Sequence, residues 1–112
     1  MIELTLLEYL KKELSYPVYM ERKNDQTNYI VIEKTGGSCE DFIARATFAV
    51  QTYGESLYKA ALMANEVFDV MLKMPDYTDV SSCKVNGGPY NYTDTETKEY
   101  RYQTVYDIHY HS

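Results

Sequence analysis

Residues 41–53, DFIARATFAVQTY, alternate in character along their whole length. Phe42, Ala44, Ala46, Phe48, Val50 and Thr52 fall on one side, and this set is mostly apolar. Asp41, Ile43, Arg45, Thr47, Ala49, Gln51 and Tyr53 fall on the other, which is mixed. A period of two places each set on one face only in a β-strand. The run is longer than a common strand, so it predicts one that spans a sheet or projects beyond it. Residues 101–110 repeat the pattern. Tyr102, Thr104, Tyr106, Ile108 and Tyr110 share one face; Arg101, Gln103, Val105, Asp107 and His109 share the other, with His111 after them. A slip of one residue would turn either strand inside out, so the two runs fix register.

The remaining segments supply the other layer. Residues 2–15 place Ile2, Leu6, Leu10 and Leu14 at helical spacing, with Leu7 beside them. Glu3 and Glu8 precede Lys11 and Lys12, the charge order that a helix dipole favours. Pro17 disfavours helical geometry at Tyr16 and ends the helix there. Residues 18–21 form a short strand candidate and 29–34, YIVIEK, a stronger one. Its unbroken apolar start suggests cover on both faces. Residues 55–73 read as a second helix with Leu57, Ala60, Ala61, Ala64, Val67, Phe68 and Met71 in one stripe that continues to Met74, closed by Pro75. Residues 80–85 are a further strand candidate. The order is α-β-β-β-α-β-β. It predicts one α+β domain over residues 1–112: a mostly antiparallel sheet of four to five strands with two helices on one face.

Composition narrows the partners. Eleven basic residues face seventeen acidic ones, for a net charge of -6. Nucleic-acid affinity rests on Lys and Arg neutralising phosphates, and this chain has no basic run, so direct nucleic-acid recognition is not predicted. No apolar run nears the roughly 20 residues of a membrane helix. The first residues lack the basic start of a signal peptide and read as a helix, which predicts a protein made in the cytoplasm. The two cysteines, Cys39 and Cys83, form no C-x-x-C pair and read as unpaired thiols. The 13 tyrosines, beside no tryptophan, suit both strands and protein interfaces.

No set of residues specifies catalysis. Gly36–Gly37 lacks the Gly-Lys-Ser/Thr and the helix of a phosphate loop, because a strand follows. The pair reads as a link between strands that uses left-handed backbone angles. His109 and His111 point to one side and could share a metal, but no third ligand is apparent. The acidic residues of the polar loops read as solvated surface. Neither an enzyme nor a cofactor is predicted.

The order of motifs resembles the tail terminator (tail completion) proteins of long-tailed bacteriophages and prophages. The leading helix and SYPVYMERK open the likeness. YIVIEKTGG resembles that family's strand ending in a basic residue, threonine and two glycines. ATFAVQTYGESLYKAALMANEVFDVMLKMP resembles its strand feeding an alanine-rich helix and a proline loop. VNGGPYNYTDTETKEYRYQTVYDIHYH resembles its glycine-proline step, aspartate-rich turn and arginine-tyrosine-glutamine strand opening. The chain departs from the pattern at Lys34, where arginine is common, and at NYTDTETKEY, where proline-rich turns are common.

The resemblance implies a structural virion protein without turnover. Its subunits would form a ring, usually a hexamer, that caps the tail tube, stops its polymerisation and joins the head's connector. It would act at the head–tail junction of the virion, after assembly in the host cytoplasm. Its partners would be further copies, the tail tube protein and the head–tail connector protein. Another neck or stopper protein is the nearest alternative, and a small ligand-binding or hydrolytic domain a more distant one. The loops at 22–28, 35–40 and 89–100 are the candidate contact surfaces. Within them and beside them, Lys34, Thr35, Gly36, Gly37, Arg45, Tyr90, Tyr92, Asp94, Glu96, Glu99 and Arg101 are the candidate subunit or tube interface. Asp94, Glu96 and Glu99 read first as solvated, with pairing to Lys34, Arg45 or Arg101 of a neighbour as the alternative, and Tyr90, Tyr92 and Tyr100 are expected to supply affinity.

Overall fold

The computed structural model describes residues 1–111. It is α+β, with a six-stranded, mostly antiparallel sheet. Helix α1 is Ile2–Glu13 and is followed by β1, Val18–Tyr19. Strands β2 (Tyr29–Glu40) and β3 (Ile43–Gly54) form a long hairpin. Helices α2 (Leu57–Leu72) and α3 (Met74–Tyr77) come next, then β4 (Ser82–Val85), β5 (Tyr90–Asn91) and β6 (Tyr100–His111). The strand order is β1-β2-β3-β6-β4, and β5 also pairs with β6. Among the described residues, β1 and β2 run parallel and the other pairs antiparallel.

The alternating runs settle the register. Phe48 lies opposite Tyr106 and Ala46 opposite Ile108, so the apolar sets of β3 and β6 share a face. Ile30 and Ile32 of β2 extend that face. Leu6 and Leu10 of α1 and Met63, Val67 and Met71 of α2 pack on it and complete the core. Each such side chain contributes about 1.5–3 kcal/mol of transfer free energy when buried. Tyr9 ties the helices together, its hydroxyl donating to the Val70 carbonyl oxygen at 2.6 Å.

Local chemistry explains the element ends. Ser56 caps α2 by accepting from the Lys59 N–H at 3.0 Å. Gly54 sits directly under the first turn of α2: a Cβ there would lie 2.4 Å from the Ala60 nitrogen. Thr52 Oγ1 donates to the Ala60 carbonyl oxygen at 2.8 Å and draws the helix onto the sheet. Pro75 does not simply end the helical segment. It occupies the first turn of α3, where its missing N–H has no partner to lose.

The double glycine is not a loop. Strand β2 runs through Gly36 and Gly37 to Glu40. Neither glycine has a left-handed backbone; the turn falls instead on Asp41 and Phe42, with φ of 52° and 68°. The strand holds together here because its partner, β3, is itself paired to β6 as far as His111. A register shift between Lys34 and Gly36 absorbs one extra residue. The outcome is a projecting arm. Tyr29 to Ile32 are buried, while Glu33 to Glu40 are exposed.

Candidate assembly surface

Three features stand outside the helix-packed core. The first is the arm. Its tip presents Phe42, 81% exposed, and Ile43 behind it. A Cβ at Gly37 would come within 3.0 Å of the Arg45 carbonyl oxygen and 3.3 Å of Lys34 Cε, so the bare position makes room for the lysine stem. Gly36 is open, with only Thr47 Cβ at 3.9 Å. Lys34, Thr35, Gly36 and Gly37 are therefore together on one exposed strand, as side chains and backbone of the arm.

The second is a row of rings and cations across the base of the open sheet face. Lys23 Nζ lies 4.7 Å from the Tyr19 ring centre. Tyr19 meets Tyr29 edge-on, and Tyr29 stacks on Tyr53 with centres 4.6 Å apart. Arg101 lies over both Tyr53 and Tyr92, and Tyr92 meets Tyr90 edge-on. Hydrogen bonds pin the row. Arg101 donates to the Tyr53 hydroxyl at 3.0 Å and to the Tyr92 carbonyl oxygen at 2.6 Å. Gln103 takes a hydrogen bond from Gln51 and donates to the Tyr90 hydroxyl. The row spans five strands that only the fold brings together. Its sequence signal was no more than the tyrosine excess. Tyr90, Tyr92 and Tyr100 keep about two-fifths of their surface exposed.

The third is the charge pattern, in which several of the charges weighed above for a neighbour have partners within the chain. Glu99 is held within the chain by Arg22, whose Nε donates to both carboxylate oxygens at 2.8 and 3.0 Å and whose second guanidinium nitrogen also reaches it. Arg45 lies 3.7 Å from the Asp107 carboxylate, which accepts from Thr47 Oγ1 at 2.6 Å. Arg101 is committed to the ring row. Asp94 accepts from the Glu96 N–H, and that hydrogen bond holds its carboxyl below the usual range. The segment expected as a loose loop at 89–100 is instead a small hairpin, with Tyr92 N–H bonded to the Arg101 carbonyl oxygen and Asp94 bridged to Glu99. The 22–28 loop is tied to it by the Arg22–Glu99 pair, 77 residues apart in sequence.

The chemistry-bearing groups are dispersed. Ser82 Oγ is 3.2 Å from His109 Nδ1, while the nearby Asp107 carboxylate accepts from Thr47 Oγ1 and lies 3.7 Å from Arg45. A cleft of about 570 Å³ opens between the start of α1, residues 77–80 and the end of β6, with Asp79 and His111 in its lining. Among the described residues, no group of three or more His, Cys, Asp or Glu side chains is placed to hold a metal ion. Cys83 is buried in the core, and burial pushes its thiol up to about 12. Cys39 lies on the exposed arm. Among the described residues, no helix is long and apolar enough to cross a membrane.

No family model matches the chain, and a search of curated proteins finds no match either.

Proposed function

We propose that this chain is a structural virion protein of the tail-terminator kind. Copies of it form a ring on the last ring of a tail tube, stop the tube's growth and offer a surface to the head's connector. Binding geometry is its whole activity; no bond is made or broken. One observation carries this reading: the stretches that bear the resemblance occupy a single continuous structural unit. YIVIEKTGG is β2 and its exposed arm, ATFAVQTYGES is β3 leading into α2, and RYQTVYDIHYH is β6, between β3 and β4. A ring subunit needs a rigid body with surfaces left for neighbours. The helices here stiffen one face, while the arm and the exposed tyrosines remain uncovered.

The deciding experiment is negative-stain microscopy of lysates from a phage with this gene interrupted. Tails of aberrant length beside filled, unjoined heads are the expected result. Tails of normal length beside leaking heads would replace the terminator reading with that of a stopper.

A further inference from the structure

The arm has an edge as well as two faces, and the main-chain directions of that edge can be read. The Ile30 N–H donates to the Pro17 carbonyl oxygen, toward β1. Main-chain groups alternate in direction along an antiparallel strand. Those of Ile32 and Lys34 therefore also point away from β3. Strand β1 pairs only as far as Val31, so the edge from Lys34 onward has no strand beside it among the described residues. At the other side of the sheet, the Asn86 N–H donates to the Val105 carbonyl oxygen, toward β6. The same alternation turns the main-chain groups of Val85 away from β6. Beyond β4 there is again no strand among the described residues.

We infer that the bare edge of β2 pairs with the β4 edge of a second copy, joining subunit sheets into one continuous sheet. This rests on the self-association in the proposed function and names the surfaces it uses. Strand direction supports it. β2 is antiparallel to β3, β3 to β6 and β6 to β4, so β4 runs opposite to β2. A second copy in the same orientation therefore sets its β4 antiparallel to the arm, the more stable mode of pairing. Charge supports it too. The arm and its tip carry Glu33, Glu40 and Asp41 against Lys34, and the only charge of β4 is Lys84. Length also fits: eight exposed arm residues face a strand of four. Lys34 and the adjoining register shift are devices that discourage indiscriminate edge pairing, leaving a partner of matching shape favoured. Because two different edges meet, each copy keeps one edge for the next, and the assembly closes as a ring if the rotation allows.

Proline removes one N–H and is tolerated on an edge where that N–H points outward. Lys34→Pro and Val85→Pro therefore strip one outward donor from each edge and leave the inner ladders intact. The full-length protein and both variants are compared by light scattering after size exclusion and by negative-stain microscopy, with circular dichroism melts to verify folding. The wild type is expected as rings and each variant alone as a single chain of 13.1 kDa. Their equimolar mixture is expected to stop at a heterodimer, since each partner contributes its one intact edge. Rings of unchanged mass in folded Lys34→Pro or folded Val85→Pro overturn the edge pairing and leave ring formation standing. Dimers of Val85→Pro alone overturn it in favour of β2 meeting β2. A wild type that stays monomeric at every concentration overturns the self-association reading itself. If one variant does not fold, the other carries the comparison.

Discussion

Replacing Gly54 by alanine tests how β3 hands the chain to α2. The new Cβ would lie 2.4 Å from the Ala60 nitrogen, 2.9 Å from Ala60 Cα and 3.0 Å from the Lys59 carbonyl carbon. All three are backbone atoms, so no side-chain rotation relieves the clash. The first turn of α2 must retreat by about 1 Å to reach ordinary contact. Overpacking of this kind costs about 1–3 kcal/mol, and the upper end applies because a helix has to move. The same retreat strains the buried Thr52–Ala60 hydrogen bond, a further loss of about 1 kcal/mol. Against this, alanine narrows the unfolded ensemble by about 0.4–1 kcal/mol. The net loss is about 3–3.6 kcal/mol, which lowers the melting temperature by roughly 13–15 °C in a domain of this size. Gly36→Ala is the internal control. Its nearest contact is an ordinary 3.9 Å, and its φ is not left-handed, so that variant should melt at or slightly above the wild type. Thermal melts followed by circular dichroism give both values. A Gly54→Ala protein that melts within about 3 °C of wild type, or below which Gly36→Ala falls, would refute the packing argument.

Tyr106 offers the opposite sign. Burial raises its phenol's pKa, and although Thr104 is close enough to moderate that rise, no partner among the described residues meets the geometry of a hydrogen bond. Tyr106→Phe removes an unsatisfied buried hydroxyl, so the urea midpoint should rise, by about 1 kcal/mol in stability; a clear fall would expose a partner for the hydroxyl. Alkaline pH gives a third test. Folding raises the Cys83 thiol from 9.0 and the Tyr9 phenol from 10.0, each to about 12, chiefly through burial. Groups raised in the fold contribute stability that is complete below their unfolded values and fades as pH climbs toward the folded ones. Urea midpoints should thus be steady up to about pH 8.5 and decline from about 9 to 12. The Cys83→Ala variant should be less stable at neutral pH, from the cavity, yet decline less steeply; a slope as steep as wild type would contradict the assignment. Gly88→Ala should destabilise, because φ is +94° and the added Cβ would meet the Gln103 carbonyl oxygen at 2.6 Å. A melt unchanged from wild type would show that the 86–92 segment is not held as described.

The α+β order was legible because its signals are local. The alternation of β3 and β6 and the four-residue spacing of α1 are written in single stretches. What escaped was set by partners distant in sequence. Thr35 to Glu40 lack the burial pattern and the residue types of a strand, yet they continue β2 because β3 opposite them is anchored on β6. The turn at Asp41–Phe42 lacks the glycine or asparagine that usually marks left-handed angles, so the adjacent glycines drew the prediction to themselves. Pro75 signalled a stop and equally a start, and only α3 itself decides between them. Among the candidate interface residues, the arm positions and the exposed tyrosines remain available to a partner. Glu99, Arg45 and Arg101 also have partners within the chain, in Arg22, Asp107 and the ring row, pairings that no sequence spacing announces.

Strand β2 serves two masters, and the border lies at Glu33. Below it, Ile30 and Ile32 face the helices and Tyr29 and Val31 the tyrosine cluster on the other face, and substitution there is limited by volume and register. From Glu33 to Glu40 the side chains are exposed, while the main chain stays paired to β3. Exposed side chains there can change with the core held constant, Gly37 excepted, where a Cβ would crowd the Arg45 carbonyl oxygen. A family of such chains could therefore change the neighbours it accepts by rewriting one short segment, while inheriting the same core.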